Sequence, residues 1–188
     1  MKHLLELFSH ANTLKRLPRM GWLLSGISDA ESVADHTCNV ALLAMMLAEE
    51  INQDWAAQGL SAPLDASKVT MIALVHDLAE SVVMDLPKRS VHFLGSETKR
   101  IAEEKAINHV LAELPNSETY VALWNEYETA ATPEARLVKD VDKLEMVYQA
   151  LCYEQAGHQT LDDFWQGHQW RYPLCAALFD ELQKQRVS

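Results

Sequence analysis

Apolar residues recur at three- and four-residue intervals along most of the chain, a period that predicts helices rather than strands. Leu4, Leu7, Phe8 and Leu14 form a first stripe, ended by Pro18. Val40, Leu43 and Leu47 form a second, and Val69, Ile72, Ala73 and Val83 a third, within one apolar helical run from Lys68 to Asp85. A fourth helix carries two stripes, one from Val138 to Met146 and one through Leu137, Val141, Leu144 and Tyr148. Alternating β-branched runs bounded by Asn-Gly or Asp-Gly are absent, so strand signals are nearly absent too. Polar punctuation agrees with this reading. Ser32 with Asp35 makes a capping box before the second stripe, and Asp65 can cap the third. Ser96 starts a helix through Glu113 that Pro115 stops, and Asn116 or Ser117 starts another to Thr129. Thr132-Pro133 opens a long helix to about Tyr153, with proline at the first helical position. Gly157 and Gly167 flank a short element, and Pro173 opens the last helix. With no internal repeat and no dividing linker, the pattern predicts an all-α fold. It is a compact bundle of six to eight helices, with residues 1–188 as a single domain.

Composition narrows the function. The chain has 188 residues, 48% of them hydrophobic, with six glycines and six prolines, which suits a packed helical core and not a disordered segment. Twenty-seven acidic against 16 basic residues give a net charge of −11. Such a surface repels a nucleic-acid polymer, whereas a small phosphate ester needs only one metal ion and one arginine to reverse the sign locally. Cys38, Cys152 and Cys175 are scattered without a C-x-x-C pair, which fits a reducing compartment. No stretch has the length of a membrane span, and the first residues lack a signal-peptide core. The expectation is a cytoplasmic protein that does not bind membranes.

The stripes also carry polar residues that a core does not take lightly. His36 shares a face with Val40, Leu43 and Leu47; His76 shares one with Val69, Ile72 and Ala73; Asp77 follows it directly. Asp142 lies between the two stripes of the long helix, while Asp140 faces Arg136 and Lys143 and reads as solvated. A single buried histidine is most often satisfied by a backbone carbonyl, and a single buried carboxylate by a cation. Two imidazoles and two carboxylates on inward faces are more economically explained by one divalent metal. Nitrogen and oxygen donors without thiolate suit Mn²⁺, Co²⁺, Fe²⁺, Ni²⁺ or Zn²⁺.

The ordered set His36, His76-Asp77, Asp142 resembles the motif of the HD-domain phosphohydrolases. The similarity extends to their 5′-deoxynucleotidase-type branch through R-x-G-W (Arg19, Gly21, Trp22), E-S-V-x-D-H (Glu31 to His36), H-D-x-x-E-x-x-x-x-D-x-P (His76 to Pro87) and L-V-K-x-x-D (Leu137 to Asp142). The resemblance implies one divalent transition metal held by His36, His76, Asp77 and Asp142. It also implies a reaction that removes the 5′-phosphate from nucleoside monophosphates, preferentially deoxy forms. Glu80, on the face of His76 one turn on, would orient or deprotonate the attacking water. Asp85 is a candidate acid for the leaving 5′-oxygen or a contact to the sugar. Arg19 would clamp the phosphate and Trp22 would wall the sugar or base pocket. Some relatives have the arginine directly beside the tryptophan. Gly21 stands there in this chain, so Arg16 or Lys15 is an alternative phosphate contact.

Other polar residues are given plainer roles. Glu31 and Ser32 brace the His36 helix, Lys88 and Arg89 form a solvated basic turn, and Glu103-Glu104 a solvated face. His3, His10, His158 and His168 are incidental. Trp124, Tyr127, Tyr148 and Tyr153 recur at helical spacing as core or subunit interface, and members of the resembled family are commonly homodimers. Two rival readings stand beside the main one. The first is a two-metal phosphodiesterase or oxygenase that recruits His92 and His109. The second is a non-catalytic helical module whose metal only stabilises it.

Overall fold

Caps and prolines cut the chain where the polar punctuation places them. The computed structural model describes residues 1–159 and 161–186. Among them the α-helices are α1 (Lys2–Leu14), α2 (Met20–Leu24), α3 (Val33–Gln53), α4 (Ala66–Val75) and α5 (Glu80–Val83), followed by α6 (Lys88–Leu94), α7 (Ser96–Leu111), α8 (Ser117–Thr129), α9 (Pro133–Gln155) and α10 (Pro173–Arg186). A 3₁₀ turn at Asp162–Phe164 fills the interval between Gly157 and Gly167. The fold is all-α. The ten α-helical segments exceed the six to eight expected because short pieces, notably five-residue α2 and four-residue α5, stand apart from the long helices.

The predicted caps are in place. Asp35 N–H donates to Ser32 Oγ at 3.1 Å, and Ser32 N–H donates to the Asp35 carboxylate at 2.9 Å, the reciprocal pair of a capping box. Lys68 N–H donates to Asp65 Oδ1, and Ala135 N–H to Thr132 Oγ1 with proline following. The run from Lys68 to Asp85 is not one helix. It breaks after Val75 and resumes at Glu80, with Leu78 N–H bonded to Val75 O and Glu80 N–H to Asp77 O in tight turns. His76 and Asp77 therefore sit in the break and not on a continuous helical stripe.

Two compact units are formed. The first comprises Met1–Cys38 and Leu74–Asn125. Its core gathers Ala79, Ala106, Ile107, Val110, Leu111 and Trp124, with Leu7, Leu78 and Val83 packed against it. Burying a large apolar side chain such as Ile107 contributes about 1.5–3 kcal/mol. Short α5, which no isolated peptide would sustain, is held by contact with both α1 and α7. A lone antiparallel bridge joins Pro18 to Ser32, flanked by Arg19 N–H to Glu31 O and Val33 N–H to Leu17 O, both 2.9 Å. It fixes the segment carrying Arg19 and Trp22 against the start of α3.

The second unit comprises Asn39–Ala73 and the chain from Glu126 onward. Its axis is α9, with Leu137, Val138, Val141, Val147 and Ala150 fully buried, and α10 packs along it. Asp140 is 0% exposed, which corrects its reading as solvated. It accepts from Arg171 N–H at 2.7 Å, Tyr172 N–H at 3.0 Å and the Arg171 guanidinium at 3.2 Å. The α9 face that looked polar is covered by the segment leading into α10. On α3 the buried stripe runs through Val40, Ala44, Ala48 and Ile51, while Leu42, Leu43 and Met46 are exposed. The alanine face, and not the leucine face, packs inward.

Candidate active site

In the first unit the residues expected to carry chemistry converge on one carboxylate oxygen. Asp77 Oδ2 lies 3.2 Å from His76 Nε2, 3.7 Å from His36 Nε2 and 3.3 Å from the Arg19 guanidinium. The two imidazole rings meet edge-on, with centroids 5.6 Å apart and planes inclined at 63°, and they offer donor atoms within 4.8 Å of one another. Both are buried, His36 completely. Three local devices build this cluster. The capping box sets the first turn of α3 and so His36, the break after α4 presents His76 and Asp77 side by side, and the bridge at Pro18 brings in Arg19.

The electrostatics follow from the packing. Burial alone would raise the Asp77 carboxyl, but the charge and hydrogen bond of His76, with Arg19 and His36 behind them, outweigh it and hold the group well below the usual carboxylate range. Glu80, 6% exposed, goes the other way. Burial first, then the negative charges of Asp77 and Asp85, push its carboxyl up to about 10 against the weaker pull of Arg19 and Lys99. Its Oε2 is buried with no hydrogen-bond partner among the described residues. A buried polar group without a partner is rare in a folded chain.

Asp85 Oδ2 accepts from Met20 N–H at 2.6 Å, tying the end of the α5 segment to the start of α2. Met84 before it has φ +68° and ψ 162°, a backbone region comfortable only for glycine. Trp22 is 1% exposed and its indole N–H donates to Glu31 Oε1 at 2.8 Å. A ring with so little surface has no face to offer a sugar or base, so the pocket-wall role expected for Trp22 gives way to bracing Glu31. Lys15 and Arg16 are exposed, and Arg19 is the arginine that reaches the cluster.

His92 and His109 do not join it. Both are exposed, His92 beside Phe93 and His109 against the ring of His10, and among the described residues neither belongs to a group of three close metal-binding side chains. Glu103, expected to be solvated, is buried and paired with Lys99 at 2.8 Å. Asp142 lies on α9 in the second unit, half-buried, and accepts from the Tyr127 hydroxyl at 2.8 Å. Helical periodicity marks Tyr127 as core or subunit interface, because a stripe within one helix says nothing of a bond to another.

Two buried imidazoles around a carboxylate held ionised make a donor set that fits a divalent cation.

Comparison with known proteins agrees with the motif. A family model described as HD domain matches residues 11–169. The human protein named 5′-deoxynucleotidase HDDC2 is 33% identical, over 98% of this chain and 87% of its own length. Its namesake from Dictyostelium discoideum is 35% identical, over 99% of this chain and 100% of its own. A solved structure titled as a conserved hypothetical protein from Pyrococcus furiosus matches with TM-score 0.79 at 36% identity, covering 98% of this chain and 99% of that one.

Proposed function

The chain belongs to the HD-domain family, and on that premise we propose that it is a metal-dependent phosphohydrolase that removes the 5′-phosphate from deoxynucleoside 5′-monophosphates. The observation that carries this reading is the gathering of His36, His76 and Arg19 around Asp77, with Glu80 buried in the same unit. Relatives named 5′-deoxynucleotidase, matched over nearly the whole chain, supply the substrate class.

One divalent transition metal is held by His36, His76, Asp77 and Asp142, and the whole chain acts as a single HD domain. The ion, when bound, polarises a phosphoryl oxygen and acidifies water near neutral pH. The chain's own residues do the rest. Arg19 exchanges Asp77 for the incoming phosphate, for which its planar fork of donors is suited. Glu80 orients the attacking water and, in its ionised form, accepts the water's proton at Oε2. A water oxygen bonds to phosphorus, the bond from phosphorus to the 5′-oxygen breaks, and that oxygen takes up the proton that Glu80 accepted, giving nucleoside and phosphate. Asp85, already accepting from Met20 N–H, faces the sugar as a fixed acceptor. The exposure of His92 and His109 speaks against a two-metal site.

The protein works as a homodimer in the cytoplasm, where three unpatterned cysteines stay reduced. No helix among the described residues is long and apolar enough to cross a membrane. Exposed Leu42, Leu43 and Met46 on α3 are available to an interface between copies. Light scattering after size exclusion checks the dimer.

The test of the activity is phosphate release from a panel of ribo- and deoxynucleoside monophosphates in Mn²⁺, Co²⁺ and other divalent ions. Release from deoxynucleotides, lost in Asp77→Ala, supports the assignment. A panel without release under every ion removes it.

A further inference from the structure

Asp142 is not held by its own helix alone. The Tyr127 hydroxyl on α8 donates to its Oδ2 at 2.8 Å, and Tyr127 is only 5% exposed. Away from water, a hydrogen bond to an ionised acceptor is short and strong, and it fixes the rotamer of the carboxylate that receives it. The opposite side of the tyrosine is also engaged. Lys139 Nζ stands 3.6 Å from the centre of the Tyr127 ring and 3.5 Å from Glu128 Oε1. A cation over the π face draws density from the ring, which makes the phenol a better donor. Glu128, Lys139, Tyr127 and Asp142 thus form one chain of alternating charge and dipole.

Packing does not account for the hydroxyl. A phenylalanine would fill the same space, and a buried O–H is costly unless bonded. We propose that Tyr127, braced by Lys139 and Glu128, is a positioning residue that sets the Asp142 carboxylate for cation binding. This inference rests on the reading of Asp142 as a metal ligand. Carboxylate ligands are themselves commonly hydrogen-bonded, and loss of such a partner lowers metal affinity by about 10- to 100-fold.

The experiment strips the full-length protein with a chelator and titrates it with Mn²⁺ by calorimetry, alongside thermal melting of the stripped protein. Tyr127→Phe weakens Mn²⁺ binding about tenfold or more while the stripped protein melts close to wild type. Lys139→Met, which leaves the hydroxyl in place, weakens it by a smaller factor. Wild-type affinity in Tyr127→Phe, with Asp142→Ala having lost binding, overturns the role of Tyr127 and leaves Asp142 as a ligand. Wild-type affinity in Asp142→Ala overturns the reading of Asp142, and this inference with it. Should Tyr127→Phe fail to fold, Lys139→Met decides: weakened binding supports the role and unchanged binding removes it.

Discussion

Glu80 meets two opposed demands with one side chain. The proposed chemistry wants a carboxylate there, whereas the packing of α5 between α1 and α7 removes the water that a carboxylate needs. The result is a carboxyl raised to about 10 in the metal-free protein. The linkage sign is fixed by that direction. A group raised on folding contributes fully below its unfolded value, about 4.3 for glutamate, and its contribution is lost as pH climbs toward the folded value. Glu80→Gln keeps the shape and removes the charge. Thermal melting of chelated Glu80→Gln should match wild type near pH 4.5 and exceed it at pH 8 by on the order of 5 °C. Phosphate release by the metal-loaded variant should fall by about 10²- to 10⁴-fold. Equal melting at both pH values would show that burial of Glu80 costs nothing, and the case for a poised carboxyl would go with it.

At the scale of elements, the break between α4 and α5 and the turn after α5 decide where the site residues point. Met84 occupies a backbone region that costs a non-glycine residue about 1–3 kcal/mol, and it is 54% exposed, so its side chain gains little in return. The turn at Met84 sets Asp85 against Met20 N–H while Glu80 stays in the core. Met84→Gly should raise the urea midpoint by the equivalent of about 1 kcal/mol and lower kcat several-fold, because a relaxed turn no longer fixes the separation of Glu80 from Asp85. A variant less stable than wild type would mean the turn is not strained. On α9, Asp140→Ala should cost about 3 kcal/mol in the same assay, since it strands two backbone N–H groups and Arg171. The contrast between Asp140 and His36 marks what a single sequence can tell. Stripe and cap positions such as His36 and Thr132 are legible because 3.6-residue periodicity and capping are local. The burial of Asp140, the hydroxyl of Tyr127 on Asp142 and the indole of Trp22 on Glu31 were not, because each depends on a segment packed from elsewhere in the chain. The split of one apolar run at His76 was hidden for another reason: broken and unbroken helix share the same composition there.

For the molecule as a whole, the proposed ligands come from three stretches far apart in sequence, at His36, His76-Asp77 and Asp142, and a net charge of −11 opposes compaction. A cation that binds only the folded chain should therefore stabilise it as a unit. At a free concentration of one hundred times its dissociation constant, the gain is about 2.7 kcal/mol, or roughly 5–10 °C in melting temperature for a chain of this size. The pH dependence of that gain tells which donors bind. Asp77 is held well below the usual carboxylate range, so its contribution is present above that range and is lost only as pH falls through its low folded value. Between pH 5.5 and 7.5 the Asp77 carboxylate stays ionised and cannot be the source of any change. The stabilisation by Mn²⁺ or Co²⁺ should therefore persist across this window as far as Asp77 supplies it, and His36→Ala and His76→Ala should each reduce it. Melting curves of chelated and loaded wild type and variants measure this directly. An undiminished gain in both variants would place the cation on carboxylates alone and away from the two histidines.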